Sequence, residues 1–95
     1  MTIDEFQRAM ADVAGSTLFL LPNGYHYIPL TAITTNNNQI ILSQSPNQHS
    51  AVTLQEFLTA CKLLPATTKI YFQRGNQKPQ LMYGFKRIPN SIIPN

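Results

Sequence analysis

The sequence predicts an α+β fold with two short helices packed on one mainly antiparallel sheet of five or six strands, in a pseudo-twofold arrangement. The first observation is that TIDEFQRAM at residues 2–10 has a near copy, TLQEFLTAC, at residues 53–61. The second is that each copy is followed by two extended apolar segments separated by a turn. Because one helix and one hairpin cannot bury their apolar surfaces alone, the two copies should share one hydrophobic core.

The first helix is predicted to begin after Thr2, which is a favourable N-cap residue. Glu5, three residues later, completes a capping box, in which each side chain accepts a hydrogen bond from the other residue's backbone. Apolar side chains recur at helical spacing after this cap, and Gly15 provides a stop signal. The apolar stripe consists of Ile3, Phe6, Met10 and Val13.

The second helix repeats this local pattern. Thr53 is the predicted N-cap, Glu56 completes the capping box, and Pro65 ends the helix because proline lacks a backbone donor. The apolar stripe of this helix consists of Leu54, Phe57, Leu58, Cys61 and Leu64.

Extended segments follow the two helices in the same order. STLFLLPNG at 16–24 corresponds to TTKIYFQRG at 67–75. HYIPLTAI at 26–33 corresponds to LMYGFKRI at 81–88, after four additional residues in the second copy. The PNG turn is typical of a tight hairpin, and the longer QRGNQKP segment predicts a looser one. Each copy is therefore predicted to be a helix followed by a β-hairpin.

A bend is predicted in both hairpins. Pro29 and Gly84 fall at matching positions of the second strands. Proline cannot donate to the ladder and glycine has no side chain to pack, so each residue weakens strand pairing. We therefore expect a bend or bulge at both positions.

A third strand, QIILSQ at 39–44, closes the first copy, whereas only the tail PNSIIPN follows the second copy. The chain is interpreted as one domain, because 95 residues suit a single core. We divide residues 1–95 into repeat one at 2–44, repeat two at 53–88 and a short tail at 89–95.

The segment from TIDEF to QIIL resembles small bacterial and phage domains built as T-V-x-E-L, a short helix, a strand, G-x-x-Y-x-I and a closing V-x-L strand. The resemblance covers about half of the chain, and the second copy is similar to the same pattern without its last strand. The resemblance implies units of one helix followed by three strands, of bacterial or phage type. It implies no particular activity.

The amino-acid composition indicates where the protein is located and which kinds of partner it can bind. One cysteine excludes an intramolecular disulfide, which fits a reducing compartment, and the longest apolar run is too short to span a bilayer. We expect a cytoplasmic protein with no membrane association. The net charge is +3, but all four acidic residues precede residue 57 and six of the seven basic residues follow it. This asymmetry permits an acidic partner without requiring one.

No group of residues in the sequence predicts catalysis, so we expect a protein that is not an enzyme and that has no cofactor and no metal. Cys61 lies in the apolar stripe where the repeat places Met10, and it is predicted to be buried and unreactive. His26 begins a strand between two tyrosines, and His49 lies in a polar loop. Neither histidine has another ligand at a metal-binding spacing.

The second face of the predicted sheet provides the leading functional hypothesis. A sheet with one wet face should alternate cleanly between apolar and polar residues, and these strands do not. Two covers for this face are open, the SII segment of the tail at 91–93 and a second subunit. Since large exposed apolar patches are rare on monomers, we expect a homodimer and a non-catalytic protein–protein interaction module. The predicted self-association face consists of Leu18, Leu20, Tyr27, Ile33, Tyr71, Met82 and Ile88.

The alternative hypothesis is a nucleic-acid-binding module that uses the basic C-terminal half, since exposed aromatic residues on a basic sheet can stack with bases. Phe72, Tyr83 and Phe85 are expected to face the helices, which leaves Tyr71 among the basic residues on the far face. The predicted patch for an anionic partner consists of Lys69, Arg74, Lys78, Lys86 and Arg87.

Overall fold

The computed structural model describes residues 1–36 and 38–95, and within them it contains two helices and eight strands. The helices are α1 (Ile3–Ala9) and α2 (Leu54–Cys61). The strands are β1 (Leu18–Asn23), β2 (His26–Pro29), β3 (Ala32–Asn36), β4 (Gln39–Ser43), β5 (Lys69–Phe72), β6 (Gln80–Leu81), β7 (Phe85–Ile88) and β8 (Ser91–Pro94).

The prediction of a single five- or six-stranded sheet is wrong, because the strands form two four-stranded sheets. Sheet 1 has the order β2-β1-β8-β7, and sheet 2 has the order β3-β4-β5-β6. Each sheet consists of two antiparallel hairpins joined by a parallel pair, which is β1–β8 in sheet 1 and β4–β5 in sheet 2. The α+β class itself is correct.

The first change of sheet occurs directly after Pro29, where a bend was predicted. Leu30 N–H donates to Phe19 O of β1 at 3.0 Å, so Leu30 still belongs to sheet 1. The next residue, Thr31, donates its N–H to Ser43 O of β4 at 2.8 Å, so the chain has entered sheet 2. A bent strand that changes partners in this way forms the corner between two packed sheets.

The second change of sheet occurs just before Gly84. Met82 N–H donates to Ile70 O of β5 at 2.9 Å, whereas Tyr83 N–H donates to Asn95 O, next to β8, at 2.8 Å. The segment 81–88 was predicted as one strand, and it instead divides between two sheets. This division, the similar division of 26–33 and the strand formed by the tail together give eight strands where the sequence indicated five or six.

The tail that follows residue 88 forms a central strand. β8 pairs in parallel with β1 and antiparallel with β7, and its Ile92 side chain is fully buried in the core. Asn90, in the turn before β8, has a φ of 62°, and Asn38, in the turn before β4, has a φ of 61°. Asparagine tolerates this left-handed conformation better than most residues do.

Both predicted capping boxes are present. The Thr2 hydroxyl accepts from Glu5 N–H at 3.3 Å, and a Glu5 carboxylate oxygen accepts from Thr2 N–H at 2.8 Å. Thr53 and Glu56 make the same two bonds at 3.1 and 3.0 Å. The helices therefore begin where the local pattern predicts, although α1 ends well before Gly15.

Each helix is also tied by its first turn to the segment that leads into a distant strand. Ile3 N–H of α1 donates to Thr68 O before β5 at 2.9 Å. Leu54 N–H of α2 donates to Thr17 O before β1 at 2.7 Å. These bonds satisfy backbone donors that a helix N-terminus otherwise leaves without a partner.

Three fully buried phenylalanines form the centre of the core, and a fourth, partly buried, packs against them. Phe6 of α1 and Phe57 of α2 meet edge to face, with ring centroids 5.3 Å apart. Phe19 of β1 contacts both rings, at 6.0 Å from Phe6 and 5.1 Å from Phe57. Phe85 of β7 contacts Phe6 at 6.1 Å. The two helices therefore share one core with sheet 1 through aromatic contacts, as the sequence predicts for the helices.

Candidate protein-interaction surface

The cysteine is an apolar core residue. Cys61 lies at the end of α2 with 2% of its surface exposed, as predicted from its place in the apolar stripe. Burial raises the pKa of the Cys61 thiol to about 12, because the thiolate would lose its hydration. Since the thiolate is the nucleophilic form, this side chain is unsuited to covalent catalysis.

The two histidines lie on the surface at separate places. His26 is exposed at the start of β2, and His49 is exposed in the loop before α2. His49 and Glu56 line a cavity of about 300 Å³. The Glu56 carboxylate already accepts the Thr53 N–H of the capping box, at 3.0 Å. Over residues 1–36 and 38–95, no three His, Cys, Asp or Glu side chains group closely enough to hold a metal ion.

The five basic residues predicted to form one patch divide between the two sheets. Lys69 is exposed on β5, and Arg74 and Lys78 follow in the loop between β5 and β6. Lys86 and Arg87 are exposed on β7, an edge strand of sheet 1. As neighbours in a strand, these last two side chains point to opposite faces.

Four residues of the predicted self-association face lie together on the outer face of sheet 1. Leu18 and Ile88 both pair with Ser91, so the three side chains point to the same side. Leu20 is two residues after Leu18 on β1, so it is on the same face. Tyr27 pairs with Pro22, two residues further along β1, and is therefore on this face as well. Tyr27 is 44% exposed and the three aliphatic side chains are half-buried.

The other three residues of that predicted face lie elsewhere. Met82 is 0% exposed in the core, and this contradicts its assignment to an exposed face. Ile33 pairs with Leu42 and faces the core, whereas Tyr71 lies on the outer face of sheet 2. Tyr83 was expected to face the helices and is instead 79% exposed. The errors at Ile33, Met82 and Tyr83 share one cause, because the change of sheet interrupts the alternation assumed for a continuous strand. Tyr71 keeps the predicted alternation of its strand but belongs to the other sheet.

Two further residues belong to the surface on sheet 1, and sequence reasoning missed the second of them. Pro29 pairs with Leu20, and Ile93 of β8 pairs with Lys86 of β7. Ile93 is only 4% exposed, yet it lies outside the main core cluster because its side chain points to the outer face. It was missed because the tail was not predicted to form a strand. We define the apolar face as Leu18, Leu20, Tyr27, Pro29, Ile88 and Ile93. Two polar residues lie on the same side of the sheet, Ser91 on β8 and the exposed Lys86 on the edge strand β7.

The outer face of sheet 2 has a different composition. Lys69 and Tyr71 alternate along β5, and they pair with Gln39 and Ile41 of β4. Ile41 and Leu81 are apolar members of this surface, but most of its positions are hydrophilic. We define the polar face as Thr34, Asn36, Gln39, Ser43, Lys69 and Tyr71.

Comparison of the chain with protein families, with curated proteins and with solved structures finds no match. Neither helix in the described part of the chain has the length and apolar character needed to cross a membrane.

Proposed function

We propose that this chain is a non-catalytic protein–protein interaction module that forms a homodimer through the apolar face of sheet 1. The observation that supports this proposal is the contrast between two outer surfaces built on the same strand arrangement. One surface presents the half-buried Leu18, Leu20 and Ile88, with the exposed Lys86 on its edge strand, and the other presents mostly hydrophilic side chains. An apolar surface on an otherwise exposed sheet is typical of a site that a partner covers.

We further propose that the fold is an internal repeat with pseudo-twofold symmetry, so that the two outer surfaces are equivalent positions of one architecture. Residues of the first repeat correspond to residues 51 positions later up to the first hairpin turn, and 52 positions later beyond it. The backbone hydrogen bonds support this alignment, because they occur in matched pairs. The bond from Ile3 N–H to Thr68 O matches the bond from Leu54 N–H to Thr17 O. The bond from Leu18 N–H to Asn90 O matches the bond from Lys69 N–H to Asn38 O. The bond from Leu30 N–H to Phe19 O matches the bond from Met82 N–H to Ile70 O.

Under this repeat, each sheet contains the first hairpin of one copy and the second hairpin of the other. The strand order β2-β1-β8-β7 becomes β6-β5-β4-β3 when the copies are interchanged, which is the order of sheet 2. The second copy then extends to Asn95 and has a final hairpin of its own. Leu30 corresponds to Met82 and not, as the sequence suggested, to Phe85.

The repeat supplies a reason to give the apolar face a function. Leu18 corresponds to Lys69, and Ile88 corresponds to Asn36. The fold accepts a charged or amide side chain at these positions, since sheet 2 carries Lys69 and Asn36 there. Aliphatic residues at the same positions of sheet 1 are therefore not required by the backbone, and a contact with another molecule accounts for them.

The size of the apolar face favours a weak dimer. Four strands spaced about 4.8 Å apart and about 17 Å long present roughly 300 Å². A stable interface of standard size covers roughly 800 Å² on each partner. We therefore expect self-association in the micromolar range or weaker, with neighbouring surfaces such as the exposed Tyr25 adding to the contact.

The experiment that tests the dimer compares two charge insertions at matched positions. Leu20→Lys places a charge in the apolar face, and Tyr71→Lys places the same charge at the corresponding position of sheet 2. An unpaired charge in a desolvated contact costs several kcal/mol, so Leu20→Lys should weaken the dimer by about a hundredfold. Tyr71→Lys should leave it unchanged. Sedimentation equilibrium measures the dissociation constants, and circular dichroism checks that both variants keep the fold.

Two outcomes would contradict the proposal. A wild-type protein that remains monomeric at several hundred micromolar has no dimer of the proposed kind. A dimer that both variants weaken equally depends on net charge and not on the apolar face.

Nucleic-acid binding is the second candidate, and one observation favours it. All four acidic residues lie in or near the helices, so neither sheet contains an acidic side chain, and Lys69 and Tyr71 share the outer face of sheet 2. If phosphate contacts dominate, binding to single-stranded DNA should weaken steeply with salt, because counterions are released. Lys69→Gln should then reduce the salt dependence, whereas Leu20→Lys should not reduce affinity.

We also propose that the chain is not an enzyme and that it is located in the cytoplasm. The buried, protonated Cys61 supports a non-catalytic role, because it removes the most nucleophilic side chain of the sequence. A single cysteine in a neutral thiol form also suits a reducing compartment such as the cytoplasm, which we propose as the location.

A further inference from the structure

The edges of the two sheets differ in how they are protected against pairing with another strand. An edge strand presents backbone N–H and C=O groups to solvent, and proteins shield such edges with proline, charge or short length. β2 contains Pro29, and β7 carries Lys86 and Arg87. β6 is only two residues long. Three of the four edge strands therefore have a protective feature.

The fourth edge strand, β3, has none of these features. Its five residues, AITTN, include no charge and no proline, and Thr34 and Thr35 are exposed. In the described part of the chain, Ile33, Thr34 and Thr35 make no backbone hydrogen bond outside the ladder with β4. Their remaining N–H and C=O groups lie at an open edge that can pair with an added strand.

A cavity adjoins this edge. It measures about 400 Å³ and is lined by Thr35, Asn36, Asn38 and Leu64. Thr35 pairs with the buried Ile40, so its side chain is on the inner side of sheet 2. A strand added to β3 would place every second side chain on that same side, beside the cavity. The lining of the cavity is mainly hydroxyl and amide side chains, and Leu64 is the apolar member.

We propose that β3 and the adjoining cavity bind an extended segment of a partner protein by strand addition. The backbone of the segment pairs with the open edge of β3, and one side chain of the segment enters the cavity, which Thr35, Asn36, Asn38 and Leu64 line. In this mode of recognition, main-chain hydrogen bonds supply affinity and pockets for alternate side chains supply specificity. The segment is rich in β-branched or aliphatic residues and is uncharged where it faces Thr35.

Area favours a thin segment over a second copy of this chain as the occupant. An edge of five residues is about 17 Å long, and one strand is about 5 Å wide. Pairing two rigid copies along this edge covers a small part of the roughly 800 Å² per partner that a stable dimer needs. An extended segment is free to follow both the edge and the cavity. The site lies on sheet 2 and does not depend on the proposed dimer through sheet 1.

A peptide copied from β4 provides a probe, since β4 is the strand that already pairs with β3. The peptide NQIILSQ, acetylated and amidated, reproduces residues 38–44 and is titrated into the ¹⁵N-labelled full chain. We expect saturable chemical-shift changes at sub-millimolar peptide, confined to β3 and to Leu63 and Leu64. No change, or changes only at other surfaces, would overturn the proposal.

N-methylated peptides test whether strand pairing causes the binding. One peptide is methylated at the positions of Gln39, Ile41 and Ser43, and the other at the positions of Ile40 and Leu42. Alternate amides of a strand point in opposite directions, so only one of the two peptides should lose binding. If both bind as well as the unmodified peptide, or if both fail, the interaction is not strand addition.

Variants of β3 that imitate the protected strand β7 test the site on the protein. Thr34→Lys and Thr35→Arg introduce the residues found at the corresponding positions, Lys86 and Arg87, and each should weaken peptide binding at least tenfold. Thr34→Ser and Leu20→Lys should leave it unchanged, and the amide spectrum of each variant reports whether the fold is kept. A wild-type dimer that Thr34→Lys dissociates and Leu20→Lys does not would identify the occupant as a second copy and overturn the partner assignment.

Discussion

The two halves of the chain differ on the outside and agree on the inside. Under the proposed repeat, positions that face the core are apolar in both halves, as in Phe19 and Ile70, Leu30 and Met82, and Ile40 and Ile92. Positions on the outer faces differ in polarity, as in Leu18 and Lys69, and Ile88 and Asn36. The edge strands differ as well, since Thr34 and Thr35 stand where the other half has Lys86 and Arg87.

Residues that the backbone conformation requires are of the same type in both halves. Gly24 and Gly75 both have positive φ in the first hairpin turns, at 64° and 51°. Asn38 and Asn90 have positive φ in the second hairpin turns. Caps, turns and core positions thus retain their residue types, because the fold depends on them. Outward positions are free to differ, and the proposed dimer is argued from the apolar residues at these positions.

The largest expected effect comes from the aromatic core, where the halves contribute unequally. Phe6 contacts three rings, whereas Phe57 contacts two. Phe6→Ala and Phe57→Ala should each lower the free energy of unfolding by about 3–5 kcal/mol, with the larger loss for Phe6. Urea denaturation measures both values, and Phe6→Leu provides a milder variant if alanine prevents folding. A smaller loss for Phe6 than for Phe57 would break the inferred order.

The next effect concerns matched positions at the ends of the two helical stripes, Cys61 and Met10. With the pKa of Cys61 raised to about 12 from an ordinary value of 9.0, native protein should react about a thousandfold more slowly with a thiol reagent than denatured protein does. The rate is measured at pH 8 from the absorbance of the coloured group that the reagent releases when the cysteine reacts. Met10→Cys, combined with Cys61→Ala, should be similarly protected, because Met10 is buried as well. Equal rates in the native and denatured states would reopen the question of a functional thiol.

The same burial predicts a pH dependence of stability. Since the folded-state pKa of Cys61 is above its ordinary value, the contribution is complete below about pH 9 and is lost as the pH rises towards 12. Relative to Cys61→Ala, the wild type should lose up to about 1.4 kcal/mol of unfolding free energy per pH unit in this range. Urea titrations of both proteins from pH 8 to 11 measure the difference, and parallel curves would contradict the shift.

The smallest effect tests the two capping boxes against each other. Thr2→Ala and Thr53→Ala should each lower stability by about 0.5–2 kcal/mol through loss of the hydroxyl acceptor, with the smaller loss for Thr2 near the chain terminus. Hydrogen bonds from the Thr2 backbone and hydroxyl lower the pKa of Glu5, so Thr2→Ala should also raise that pKa partway towards its ordinary value. Thermal denaturation and carboxylate NMR measure the two quantities. A neutral Thr53→Ala would mean that this cap does not stabilise α2, and Thr53→Ser serves as the control that keeps the bond.

Elements with local signals were predicted well. The capping boxes of both helices, the hairpin turn at Gly24 and the burial of Cys61 follow from residues a few positions apart. The surface on sheet 1 was predicted in part, since the alternation along β1 identified Leu18 and Leu20. The open edge of β3 was not predicted, because an edge is defined by the absence of a neighbouring strand, which no local pattern reports.

The sequence by itself determined the two helices, their caps, the hairpin turns and the apolar residues available for a core, since each depends on hydrogen bonds or periodicity within one segment. Only the tertiary structure decided that the strands divide into two sheets, that the tail forms the central strand β8, and that Met82 is buried while Tyr83 is exposed. Strand pairing joins residues far apart in the chain, such as Phe19 with Ile92. A one-residue shift in such pairing moves every side chain of a strand to the other face of the sheet. The changes of sheet after Pro29 and before Gly84 therefore decide which side chains face outward, and the alternation along the sequence does not decide it alone.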